Sequence, residues 1–134
     1  MMSKFKTFLL MTLSIQLAPA QTLDFGNGVN LQPSYYNKGN VDFGWGFMNK
    51  FDQIKTVRIE MDPSRITDIS IFGNWIKEAN NHGYKVIATY HTGPLGSPDP
   101  KELLKAANWW KANYAQLHEI GGDFTINLSN EWGD

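Results

Sequence analysis

The feature that most constrains this chain is a series of four short apolar segments spaced roughly thirty residues apart, the period of a strand-plus-helix unit. Gly28-Val-Asn-Leu31, Lys55-Thr-Val-Arg-Ile-Glu60, Lys85-Val-Ile-Ala-Thr-Tyr90 and Phe124 to Ser129 are rich in β-branched and aromatic residues and read as strands. No two-residue hairpin turn joins one to the next, so a parallel sheet is favoured. Helical stripes fill the gaps. Phe47, Phe51 and Ile54, with Met48 beside them, predict a first helix, and Ile69, Phe72, Ile76 and Ala79 a second. Gly83 stands where a left-handed C-terminal residue belongs. Asp99-Pro100-Lys101-Glu102 supplies an N-cap, an N1 proline and an N3 acid for a third helix. Its stripe is Leu103, Ala107, Trp110, Tyr114 and Leu117, and Gly121-Gly122 ends it. The pattern is β-α-β-α-β-α-β.

Residues 1–20 read as a secretory signal peptide. Lys4 and Lys6 form a basic start, Phe8 to Ile15 an apolar run too short for a membrane span, and Ala18-Pro-Ala20 a small-residue cleavage site. The mature chain, residues 21–134, would keep 10 basic and 13 acidic residues, net −3, and would be secreted. This balance makes no electrostatic case for nucleic acid or an anionic membrane as partner. With no cysteine and three scattered histidines, neither a disulfide framework nor a metal site is expected. An aromatic content of 13% without basic excess favours a neutral, ring-shaped ligand.

An open four-stranded sheet and half of an eight-unit barrel both fit this pattern. No Gly-x-Gly-x-x-Gly or P-loop follows any strand, which removes the usual reason for an open nucleotide-binding sheet. Polar residues gather at strand C-terminal ends: Asn30, Arg58, Glu60, His91, Asn130 and Glu131. The chain also stops at Asp134, directly after a strand. The expected fold is therefore α/β, a (β/α)8 TIM barrel of which the first four strands are present. The longest irregular stretch, His91 to Pro98, follows the third strand, where parallel α/β folds carry function.

The stretch Phe124 to Trp132 carries the chemistry. A strand exit presenting Asn130, Glu131 and Trp132 offers an amide for a sugar hydroxyl, a carboxyl able to protonate a glycosidic oxygen, and a ring to stack on a pyranose. With Arg58 and His91 at the two preceding strand ends, the chain from Gly28 to Asp134 resembles the N-terminal half of glycoside hydrolase family 5, the secreted cellulases and mannanases. The resemblance implies that Glu131 is the general acid/base, that Asn130 binds the 2-hydroxyl beside the scissile bond, and that Arg58 holds the nucleophilic carboxylate ionised. It also implies that His91 lines the subsite of the cleaved sugar. The family's nucleophile is a second Glu on the seventh strand, expected beyond Asp134, so this polypeptide alone is expected to be inert. A retaining mechanism needs two carboxyls about 5–5.5 Å apart. Glu60 is the other acid at a strand exit, and its place beside Met61 and Asp62 reads as structural.

Each residue also has a plainer reading. Arg58 reads as the surface partner of Glu60 or Asp62, and His91 as a loop histidine bonded to backbone. Trp75, Trp109 and Trp110 read as packing, and His82 and His118 receive no role. Tyr35 and Tyr36, after the first strand, are sugar-platform candidates; Trp45 is open between that role and the start of the first helix. Trp132 is the foremost stacking candidate. The activity implied is a retaining endo-β-1,4-glycanase acting on cellulose-type β-glucan, with β-mannan as the alternative substrate and no cofactor. The alternative from another class is a secreted carbohydrate-binding module without catalysis.

Overall fold

The structure is a computed structural model that describes residues 24–91 and 99–132. The expected leader and residues 92–98 of the loop after the third strand lie outside the described residues. The described chain is α/β, built on a four-stranded, all-parallel sheet in the order β1-β2-β3-β4. The strands are β1 (Asn27–Leu31), β2 (Ile54–Met61), β3 (Lys85–Tyr90) and β4 (Thr125–Asn127). A one-turn helix α1 (Trp45–Met48) precedes β2, α2 (Ile69–Asn81) joins β2 to β3, and α3 (Pro100–Gly121) joins β3 to β4. Sequential strands are spatial neighbours, with α2 and α3 as the crossovers that parallel pairing of β2–β3 and β3–β4 needs.

The two longer helices start and stop where local chemistry says they should. The Asp68 carboxylate accepts from Ser70 N at 2.9 Å and caps α2. Asp99 does the same for α3, accepting from Lys101 N at 2.8 Å, with Pro100 in the first turn. After α2 the chain turns at Gly83, φ +81°, and after α3 at Gly122, φ +81°.

Strand alternation gives the sheet two unlike faces. Val57, Ile59 and Met61 of β2 pair in register with Val86, Ala88 and Tyr90 of β3, and all six are buried. Phe72, Trp75, Ile76 and Ala79 of α2 and Ala106, Trp110 and Leu117 of α3 belong to the same core. The opposite face carries Asn30, Arg58, Glu60, Thr89 and Asn127 in neighbouring register positions. Tyr90 meets Trp109 of α3, with centroids 5.4 Å apart, so the apolar face is the one turned to the helices.

The first predicted helix is corrected by the structure. The spacing of Phe47, Phe51 and Ile54 gives only one helical turn, Trp45–Met48, and Ile54 instead opens β2, paired with Asn27. Phe47 is 65% exposed, so no core face rewards extending the helix, whereas the sheet offers Ile54 a partner strand. Trp45 starts α1 and is buried, stacked between His82 and Tyr84, with its indole N–H bonded to Glu78. Trp75 and Trp110 are buried and Trp109 packs against the core, as the sequence suggests.

Candidate active site

The polar face is organised at the C-terminal ends of the strands by one buried carboxylate. Glu60 is 2% exposed and lies two residues after Arg58, on the same face of β2. Its Oε1 accepts from Asn30 Nδ2 at 2.8 Å and from Arg58 Nη1 at 2.6 Å. Its Oε2 accepts from Gln32 Nε2 at 2.9 Å and lies 2.7 Å from His91 Nδ1. Burial pushes this carboxyl towards the neutral form. The bonds from Asn30, Gln32 and His91 and the charge of Arg58 outweigh it and hold the pKa below its ordinary value, so Glu60 is a carboxylate at neutral pH.

Arg58 ties three strands together. Nη1 also donates to Asn30 Oδ1 at 2.8 Å, and Nη2 donates to Asn130 Oδ1. The Asn130 amide nitrogen lies 3.4 Å from His91 Nε2. Backbone bonds place these two residues. His91 N donates to Met61 O at 2.8 Å, and Asn130 N donates to Tyr90 O at 2.9 Å, each extending the sheet past its last paired residue. Trp110 Nε1 donates to Leu128 O at 3.1 Å and fixes the approach of β4's exit. Behind the carboxylate, the buried Ser34 hydroxyl bonds to Glu60 O at 3.2 Å and accepts from Asp62 N at 3.0 Å, joining the exits of β1 and β2.

Glu131 follows Asn130 with a left-handed backbone, φ +46°, an uncommon conformation for a residue other than glycine. It is exposed, and among the described residues no hydrogen bond or ion pair reaches its carboxylate. Trp132 is 40% exposed and anchored through Nε1 to Asp99 O at 3.1 Å, at the mouth of α3. Tyr35 Oη lies 3.1 Å from His91 Nδ1, and the Arg65 guanidinium sits 4.6 Å from the Tyr35 ring centre. Burial first, then the charges of Asp62 and Glu60, raise the Tyr35 pKa; Arg65 opposes them and Glu131 adds to the rise.

Of the residues singled out from sequence, Arg58, His91 and Asn130 are brought into one network, with Glu131 and Trp132 at its edge. Tyr36 is not: it is 64% exposed and, with Pro33, Val41 and Phe43, lines a separate depression of about 170 Å³. Tyr35 is the tyrosine in the site. Both readings of Arg58 hold together, since it pairs with Glu60 and also spans to Asn130. Gln32 was missed, because it follows β1 in an irregular turn where no periodicity points to it. Glu60 was seen but its centrality was not, although its spacing from Arg58 within a strand puts the two side by side. Among the described residues, no group of His, Cys, Asp and Glu is arranged to hold a metal ion.

No protein-family model matches the chain, and no curated protein matches it.

Proposed function

We propose that this chain carries part of the active face of a secreted, retaining endo-β-1,4-glycanase, with its four strands the first half of a (β/α)8 barrel. The observation that carries the reading is the convergence of Arg58, His91 and Asn130, from three successive strand exits, beside an exposed Glu131 that has no hydrogen-bond or ion-pair partner among the described residues. Such a carboxyl next to a fixed amide suits a general acid that protonates a glycosidic oxygen and later activates water. The Asn130 amide would hold the hydroxyl next to the scissile bond, and the exposed Trp132 ring would stack on a neighbouring sugar. The substrate class is cellulose-type β-glucan, with β-mannan as the alternative.

Retention requires a second carboxylate as nucleophile. Glu60 is unsuited to that role: each of its oxygens already faces two donors, which occupies the lone pairs an attack would use. Arg58 does have capacity left. Its Nε–H and one Nη2 hydrogen have no acceptor among the described residues, and its side chain is 27% exposed. These donors suit the nucleophilic carboxylate, which the described residues do not supply.

The test is Glu131→Gln in the natural full-length protein, assayed by reducing-end release from β-glucan and β-mannan. Turnover should fall about 10²–10⁴-fold, the ordinary worth of a general acid/base, while polysaccharide binding persists. Wild-type protein that binds glucan without cleaving it would replace the hydrolase with a binding module.

A further inference from the structure

The environment of Glu60 reaches beyond electrostatic neutralisation of Arg58. A carboxylate only accepts hydrogen bonds, so the short contact between Glu60 Oε2 and His91 Nδ1, 2.7 Å, requires the proton on Nδ1. The neutral ring then has a bare Nε2. That nitrogen faces the Asn130 amide at 3.4 Å and can only accept from its Nδ2. The same choice leaves Oδ1 of Asn130 turned to Arg58, where it accepts from Nη2. One carboxylate thus determines one tautomer, and that tautomer is the one that lets the amide satisfy Arg58 and His91 at once.

We propose that Glu60 is a positioning residue: it holds His91 as the Nδ1–H tautomer and, through that ring, lets the Asn130 amide beside Glu131 bond to His91 and Arg58 at once. This inference rests on the glycanase reading for its catalytic consequence, but not for its structural content. Tyr35 Oη, also near Nδ1 at 3.1 Å, can share that proton as an acceptor without changing the assignment. Among the described residues, the charged and titratable groups bonded to His91 and Asn130 are Glu60, Tyr35 and Arg58.

Glu60→Gln separates this role from simple packing. The new amide oxygen must face Asn30 and Arg58, since both only donate there. Its NH2 then faces Gln32, which can turn its own amide oxygen towards it, and His91, which can respond only by moving its proton to Nε2. That proton meets the Asn130 NH2, donor against donor. Turning the amide over relieves the clash but sets NH2 against Arg58, so no arrangement of Asn130 satisfies both neighbours.

The experiment is ¹⁵N–¹H correlation of the histidine rings in the natural full-length protein at neutral pH, for wild type and Glu60→Gln, paired with kcat and KM on β-glucan. Wild type should show His91 protonated at Nδ1, and the variant should show it at Nε2. In the variant kcat/KM should fall about a hundredfold, the scale of a displaced reacting group. A wild-type ring protonated at Nε2 overturns the proposal without any variant, so a variant that fails to fold does not rescue it. A variant that keeps Nδ1–H, or that switches tautomer with kcat/KM unchanged, overturns it too. Wild-type protein that cleaves no glycan defeats the functional reading, while the ring spectrum still decides the role of Glu60.

Discussion

The two faces of the sheet are made by the same strands and behave as different materials. On the face turned to α2 and α3, Val57, Ile59, Met61, Val86 and Ala88 are at most 3% exposed and are held by contact alone. Burial of this kind is non-directional and spread over many neighbours. On the other face, Asn30, Arg58, Glu60, His91 and Asn130 are held by directional bonds, half of them converging on one carboxylate. An apolar layer can lose a methyl group and partly relax. A saturated network loses its geometry when one member changes. The first face makes the protein stable, and the second sets a small group of polar atoms in fixed relative positions.

The contrast is tested most strongly from the apolar side. Phe72 is 1% exposed and contacts Trp75 and Trp109, with ring centres at 5.2 and 6.1 Å. Phe72→Ala should cost about 3–5 kcal/mol of unfolding free energy by denaturant titration, the usual range for a large aromatic lost from a core. His91 in the folded fraction should keep its ring tautomer. A Phe72→Ala protein that folds stably but has lost that tautomer would show the two faces to be coupled rather than separate.

A smaller effect is expected where the helices meet. A Cβ on Gly121 would stand 2.7 Å from Ile76 Cβ and 2.9 Å from Gly73 O, so α2 and α3 approach through a site without a side chain. Gly121→Ala should destabilise by about 1–3 kcal/mol through overpacking, again read by denaturant titration. An unchanged midpoint would mean that the interhelical contact is loose enough to give way.

Much of this arrangement was legible in the sequence, and the boundary of what was legible follows these two faces. β3 falls where its residues predict, and Asp99 and Pro100 mark the start of α3, because strand composition and caps are local signals. The first helix fails because the apolar spacing of Phe47, Phe51 and Ile54 serves two elements, a turn and a strand, which only tertiary pairing distinguishes. In the site, Arg58, His91 and Asn130 were readable as strand-exit residues. Glu60 is readable there too, but its place at the centre of the network is not, because a carboxyl's role depends on donors brought from thirty residues away in sequence, such as Asn30 and Gln32. Choosing Tyr35 over Tyr36 was beyond reach for a similar reason: the turn at Pro33–Tyr35 decides which ring faces His91.

The smallest effect separates the faces by pH. Glu60 has a folded pKa below its ordinary value of 4.5, so the folded protein binds this proton less readily than the unfolded chain. Its contribution to stability is therefore complete above about that ordinary value and is lost as pH falls through the lower, folded pKa. The effect is modest because burial of the carboxylate opposes the bonds that stabilise it. Asp68, lowered by the hydroxyl and backbone N–H of Ser70 at the start of α2, adds to the same acid-side slope. Unfolding free energies measured from pH 6 down to pH 3 should fall towards acid in wild type. The slope should be shallower in Glu60→Gln and shallower again when Asp68→Asn is added, because the two groups share no partner and should act independently. A slope unchanged by Glu60→Gln would mean that the network's donors stabilise the neutral acid as well as the carboxylate, and the polar face would then owe its geometry to packing after all.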